Sequence, residues 1–153
     1  MPQRRPRSRF TLDYNATSRL QIGLEYNTLV DEEDFRGSWV ILTETGSRPQ
    51  IHLNTSSDRI GTPEGKQQVS LTFAKSIPRM GLAPYASLTY SGFEDRLVYP
   101  FGLSYHIDKS WSALAMNDGR KSHLLLNYSA ERYFVQAGWI WFKNPAITVG
   151  WGF

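Results

Sequence analysis

Three histidines (His52, His106 and His123) and no cysteine are the chain's whole stock of imidazole bases and soft metal ligands. A hydrolytic site built on a nucleophile needs a hydroxyl, a base within hydrogen-bond reach and a third group that orients the base. Ser104 and His106 share a strand face but stand about 7 Å apart along it, too far for direct proton transfer. No Cys/His spacing fits a zinc site. The sequence is therefore read as holding no catalytic residue, no metal ligand set and no cofactor. Glu32, Glu33 and Asp34 form a small acidic run whose oxygens suit a divalent cation, although solvated charge is the ordinary role of such a run. The string from Ser57 to Lys66 contains Gly and Lys without the spacing or the following helix of a phosphate-cradling loop. It reads as an exposed turn-rich loop, with Asp58 and Arg59 pairing locally.

What remains is a set of polar side chains recurring at every second position. Arg9, Asp13, Arg19, Gln21, Glu25, His52, Gln68, Arg132 and Gln136 lead it, joined by Gln50, Thr72, His106, His123 and Asn127. Side chains of a strand point to alternate faces, so each of these polar rows has an apolar row behind it. If the polar rows face inward, they line a lumen in which opposite charges pair across strands and fill or guard a narrow bore. If they face outward, they are the solvated side of a soluble sheet whose apolar rows form a core.

The elements that must carry these rows are strands. Period-2 segments interrupted by turn residues cover 9–15, 19–27, 38–45, 50–54, 67–75, 84–91, 98–106, 110–117, 122–129, 132–142 and 146–153. In 19–27, Leu20, Ile22, Leu24 and Tyr26 oppose Arg19, Gln21, Gly23 and Glu25. The run Trp39-Val40-Ile41-Leu42 leaves the facing of its strand ambiguous, and Pro100 removes a ladder donor, so its strand should be irregular there. The connections alternate between compact turns (15–18, 46–48, 107–109, 130–131) and a second set that includes two long polar loops, 28–37 and 55–66. Outer-membrane barrels show such an asymmetry, with short turns on one side and longer loops on the other. Eleven candidates conflict with the even strand number of single-chain bacterial barrels. An extra strand at the start, one strand split in two, or a missing first strand would each resolve the conflict.

Composition limits the classes. One domain is expected of 153 residues, residues 9–153 forming a single barrel. No run of about 18 apolar residues is present, so no transmembrane helix is expected, whereas a barrel strand needs only every second residue apolar. Net charge is +3, and nucleic acid is not read as a partner. The basic start, residues 1–8 with Arg4, Arg5 and Arg7, is expected to be a mobile terminus or the remnant of a missing strand. No secretory signal is visible, since no apolar stretch follows these arginines. Aromatics are 14% of the chain. Tyr26, Tyr105, Trp111, Tyr128, Trp139, Trp141 and Trp151 sit near strand ends, where membrane interfaces favour Tyr and Trp.

The segment Ile147-Thr148-Val149-Gly150-Trp151-Gly152-Phe153 resembles the last strand of bacterial outer-membrane β-barrel proteins, whose terminal Phe is part of the assembly signal. The resemblance implies an all-β, antiparallel up-and-down transmembrane β-barrel of about 10–12 strands. It also implies Phe153 as the assembly signal, insertion by the barrel-assembly machinery, and residence among outer-membrane lipids of a Gram-negative-type bacterium. The expected function is a narrow, porin-like pore or a structural membrane component, with a homo-oligomer as one way to complete the wall. The alternatives are a soluble β-barrel holding an apolar ligand and an outer-membrane lipid hydrolase.

Overall fold

The computed structural model describes residues 8–28, 31–58 and 66–152. Its elements are β1 (Arg9–Asn15), β2 (Leu20–Asn27), β3 (Glu32–Leu42), β4 (Gln50–Ser57), β5 (Gln67–Ala74), a 3₁₀ turn (Pro78–Met80), β6 (Leu82–Ser91), β7 (Arg96–Val98), β8 (Phe101–His106), β9 (Trp111–Asn117), β10 (Ser122–Ser129), β11 (Tyr133–Ile140) and β12 (Asn144–Trp151). They form one up-and-down sheet of twelve strands, in the order β1-β2-β3-β4-β5-β6-β8-β9-β10-β11-β12, with β7 also paired to β6. The all-β antiparallel class expected from the alternation is the class observed. The irregularity expected at Pro100 is also present: Tyr99 and Pro100 divide what would be one strand into β7 and β8, both lying on β6.

Three expectations need correction. The loop expected over 28–37 is largely strand, because β3 begins at Glu32, and Glu25↔Asp34, Leu24↔Phe35 and Gly23↔Arg36 are in register. The alternation Asp34-Phe35-Arg36 continues the ladder, and β4 likewise runs on to Ser57. The ambiguous run in β3 contains a bulge: Val40 pairs with His52 and Leu42 with Ile51, so two residues of one strand oppose one of the other and the facing shifts. Finally, the sheet is not closed into a barrel. Its order ends at β1 and β12. The path between these ends holds eleven strands joined by ten antiparallel pairings, so the two end strands run in the same sense and cannot form an antiparallel ladder with each other.

The chain divides into two compact units, Met1–Phe73 with Ser87–Val98, and Ala74–Ala86 with Tyr99–Phe153. In the first unit the usual pattern of burial is inverted, and in the second the large apolar side chains are exposed. In the first, Phe10, Leu12, Tyr14, Ile22, Leu24 and Val69 are exposed, while Glu25, Asn27, Asp58, Thr72, Thr89 and Ser91 are buried. In the second, Leu103, Leu124, Leu126, Ile147 and Val149 are exposed, with Ile147 at 77% and Val149 at 68%, while His123 is buried. Val98 and Leu125 are the two buried apolar side chains among the described residues.

Candidate functional site: the enclosed polar face

The first unit holds a charged cluster built on β1, β2 and β3. Asp13, Gly23 and Arg36 are consecutive partners across these strands. A Cβ at residue 23 would lie 2.3 Å from Asp13 Oδ1 and 2.4 Å from the Leu12 carbonyl oxygen. The missing side chain is therefore what lets the Asp13 carboxylate reach across β2 to Arg36 Nε, at 3.0 Å. Two residues along, Glu25 is 3% exposed and lies 3.7 Å from Arg9 Nη1 and 3.9 Å from Arg36 Nη1. Ser57 Oγ donates a hydrogen bond to the same carboxylate. Two carboxylates thus alternate with two guanidinium groups.

Beyond the charges, the same unit carries uncharged ladders. Gln68 Nε2 donates to Ser56 Oγ at 3.1 Å, Ser70 and Thr89 hydroxyls meet at 2.6 Å, and Thr72 and Ser87 at 2.8 Å. Asp58 Oδ2 accepts from Ser91 Oγ at 2.5 Å and from the Phe93 N–H at 2.8 Å. In the second unit, Gln136 Nε2 donates to Asn127 Oδ1 at 2.7 Å, and Asn127 in turn to Ser112 Oγ at 3.4 Å. Asp118, in the β9–β10 turn, accepts from the backbone N–H groups of Arg120 and Lys121 and lies 2.9 Å from His123 Nε2. Burial alone would raise this carboxyl, but the Lys121 N–H, the His123 ring and the Arg120 N–H outweigh it and hold Asp118 below the usual carboxylate range.

The polar residues picked out in sequence therefore fall in several places. Arg9, Asp13 and Glu25 join one cluster. Gln68 and Gln136 enter the ladders. Gln21 is half-buried and donates to Asn15 Oδ1 at 3.1 Å. His52 is half-buried with its Nδ1 enclosed and without a hydrogen-bond partner among the described residues. Arg19 and Arg132 are exposed at turn positions just before β2 and β11. The acidic run is divided: Asp34 is half-buried and accepts from Gln67 Nε2 at 3.3 Å, whereas Glu33 is exposed. Arg59, with the rest of 59–65, lies outside the described residues, as do residues 1–7 and Phe153.

Four of the aromatic positions form one row at the ends of β9 to β12. In the second unit Trp111, Tyr128, Tyr133 and Trp151 succeed one another across β9 to β12, with centroids 5.0, 6.0 and 5.8 Å apart. Tyr105 and Trp139 are exposed, and Trp141 lies under Lys121 Nζ. In the first unit a repeat went unread. The Tyr26 hydroxyl donates to Asp31 at 2.5 Å, and that of Tyr90 to Asp95. Both aspartates are left-handed, at φ 56° and 52°. The signal was present twice as Leu-x-Tyr-x₄-Asp, at Leu24–Asp31 and Leu88–Asp95. Arg36 and Ser57 were also missed because they fell in segments read as loops.

Comparison with family models, with curated proteins and with solved structures finds no match.

Proposed function

We propose that the protein is a transmembrane β-barrel component of an outer membrane, with its polar face enclosed and occupied by its own side chains. The observation that carries this is the inverted burial: apolar rows exposed in both units while Glu25, Asn27, Asp58, Thr89 and Ser91 are buried. Exposed apolar area on this scale marks a surface meant for another phase or partner. In hydrocarbon every backbone group must be satisfied internally, which a closed sheet achieves. The aromatic row across β9 to β12 suits a membrane interface. The occupied polar face favours a structural component over a wide pore. It also disfavours a soluble barrel with an apolar ligand, since the enclosed surface is polar.

The lipid surroundings, the barrel-assembly machinery as inserting partner, and an outer-membrane address belong to this proposal. So does a second copy of the chain; antiparallel like-edge pairing, β1 with β1 and β12 with β12, requires the two copies to cross the bilayer in opposite senses. The test is folding into vesicles followed by quenching of tryptophan fluorescence with brominated acyl chains. Trp39, Trp139 and Trp151, all exposed, are expected to be quenched. A chain that is folded and monodisperse in buffer without detergent overturns the proposal.

A further inference from the structure

The β11–β12 hairpin turns on residues poorly suited to it. The Lys143 N–H donates to the Ile140 carbonyl at 3.1 Å, and the two central residues, Trp141 and Phe142, have φ of 57° and 51°. Positive φ at both centres is the type I′ geometry, which ordinarily takes Asn-Gly because a Cβ is disfavoured there. Two bulky aromatics in succession are a local conflict, and strain of this kind collects at ligand sites. Phe142 is also 55% exposed.

The surroundings say what the strained tip meets. Lys121 Nζ, from the neighbouring β9–β10 turn, stands 4.0 Å above the Trp141 ring centroid. The acid of that turn, Asp118, is already engaged by the Arg120 N–H at 2.9 Å, the Lys121 N–H at 2.7 Å and His123 at 2.9 Å. Lys121 and Lys143 are both exposed. An aromatic wedge accompanied by two ammonium groups complements one kind of surface: acyl chains covered by phosphate, where the ring enters the apolar boundary and the ammoniums meet the phosphates.

We infer that the Trp141-Phe142-Lys143 turn, with Lys121, is a binding site for the phosphate of an anionic lipid headgroup. This rests on the membrane proposal above and names the lipid class that one end of the protein takes. The full chain is folded into vesicles of phosphatidylcholine alone and of phosphatidylcholine mixed with phosphatidylglycerol, and the lipid retained after extraction is counted by native mass spectrometry. The wild type is expected to retain phosphatidylglycerol preferentially. Lys121→Gln with Lys143→Gln lowers that preference about fivefold for each lysine. Phe142→Gly moves two readouts in opposite directions: glycine accepts the left-handed turn and raises the thermal midpoint in detergent, while lipid retention falls. An unchanged preference in the double lysine variant overturns the site, and so does displacement of the lipid by inorganic phosphate. A chain that enters neither vesicle overturns the membrane proposal with it; one that enters both and retains the two lipids alike overturns the site alone.

Discussion

Glu25 is a buried acid within the charged cluster of β1, β2 and β3. Its carboxylate is buried against two arginines that each remain partly exposed, with side-chain exposures of 40% for Arg9 and 30% for Arg36. Glu25→Ala leaves Arg36 with Asp13 alone and is expected to cost about 2 kcal/mol, below the usual loss for breaking a fully buried pair because the arginines regain water. Urea unfolding from vesicles measures it, and a cost indistinguishable from zero would show the cluster to be incidental. Asp118 sets a pH dependence of known sign. Its folded pKa lies below the unfolded value, so its contribution is present above the unfolded pKa and is lost as pH falls through the folded one, in the range below about 4. The protection of the Lys121 amide, its exchange rate compared with the intrinsic rate at the same pH, should fall there and stay high at neutral pH. Asp118→Asn should remove that pH dependence while keeping an acceptor in the turn.

At the scale of elements, the membrane proposal carries a limit set by strand length. Strands β10, β11 and β12 have 8 residues each, roughly 26 Å of extended chain at 3.3 Å per residue. Tilted by about 40°, they rise about 20 Å, less than the apolar band of about 25 Å usual for outer-membrane barrels. Folding yield is therefore expected to be higher in bilayers of short acyl chains than of long ones, read from the mobility shift of the unheated protein on gels; the reverse order would contradict the assignment of these strands as the spanning elements. Most of these strands were legible in the sequence because one face carries Leu, Ile, Tyr and Trp without interruption, as at Ile147, Val149 and Trp151. The start of β3 was not, because Glu32-Glu33-Asp34 looks like solvated loop until Asp34 and Arg36 are seen to share the face of Glu25 and Gly23. The partners of the charged cluster were hidden for the same reason: which charges meet depends on register, and register follows from turn lengths that the residues between β2 and β3 do not announce.

For the whole molecule, the decisive feature is the pair of edges left by an odd number of strands along the pairing order. An exposed edge strand offers unpaired N–H and C=O groups, and in hydrocarbon those groups must find partners. β1 is exposed at every position, and its sequence suits pairing with itself. Centred on Thr11, an antiparallel pair of β1 strands from two copies inserted in opposite senses sets Arg9 opposite Asp13 twice, with Phe10 opposite Leu12 on the apolar face. Opposite charges and apolar side chains directly across a ladder each add to its stability. Thr11 would then face Thr11 of the second copy, with Cβ atoms about 5 Å apart, close enough for a disulfide after a small adjustment. Because the chain contains no cysteine, Thr11→Cys introduces one thiol and any crosslink must run through it. Mild oxidation of this variant in lipid is expected to give a covalent dimer that migrates as a folded species, whereas a cysteine at exposed Lys109, on the β8–β9 turn, is expected to stay monomeric. If neither Thr11→Cys nor the adjacent Leu12→Cys crosslinks in folded protein, like-edge pairing through β1 fails, and the proposed barrel would need another closure, such as a parallel ladder between β1 and β12.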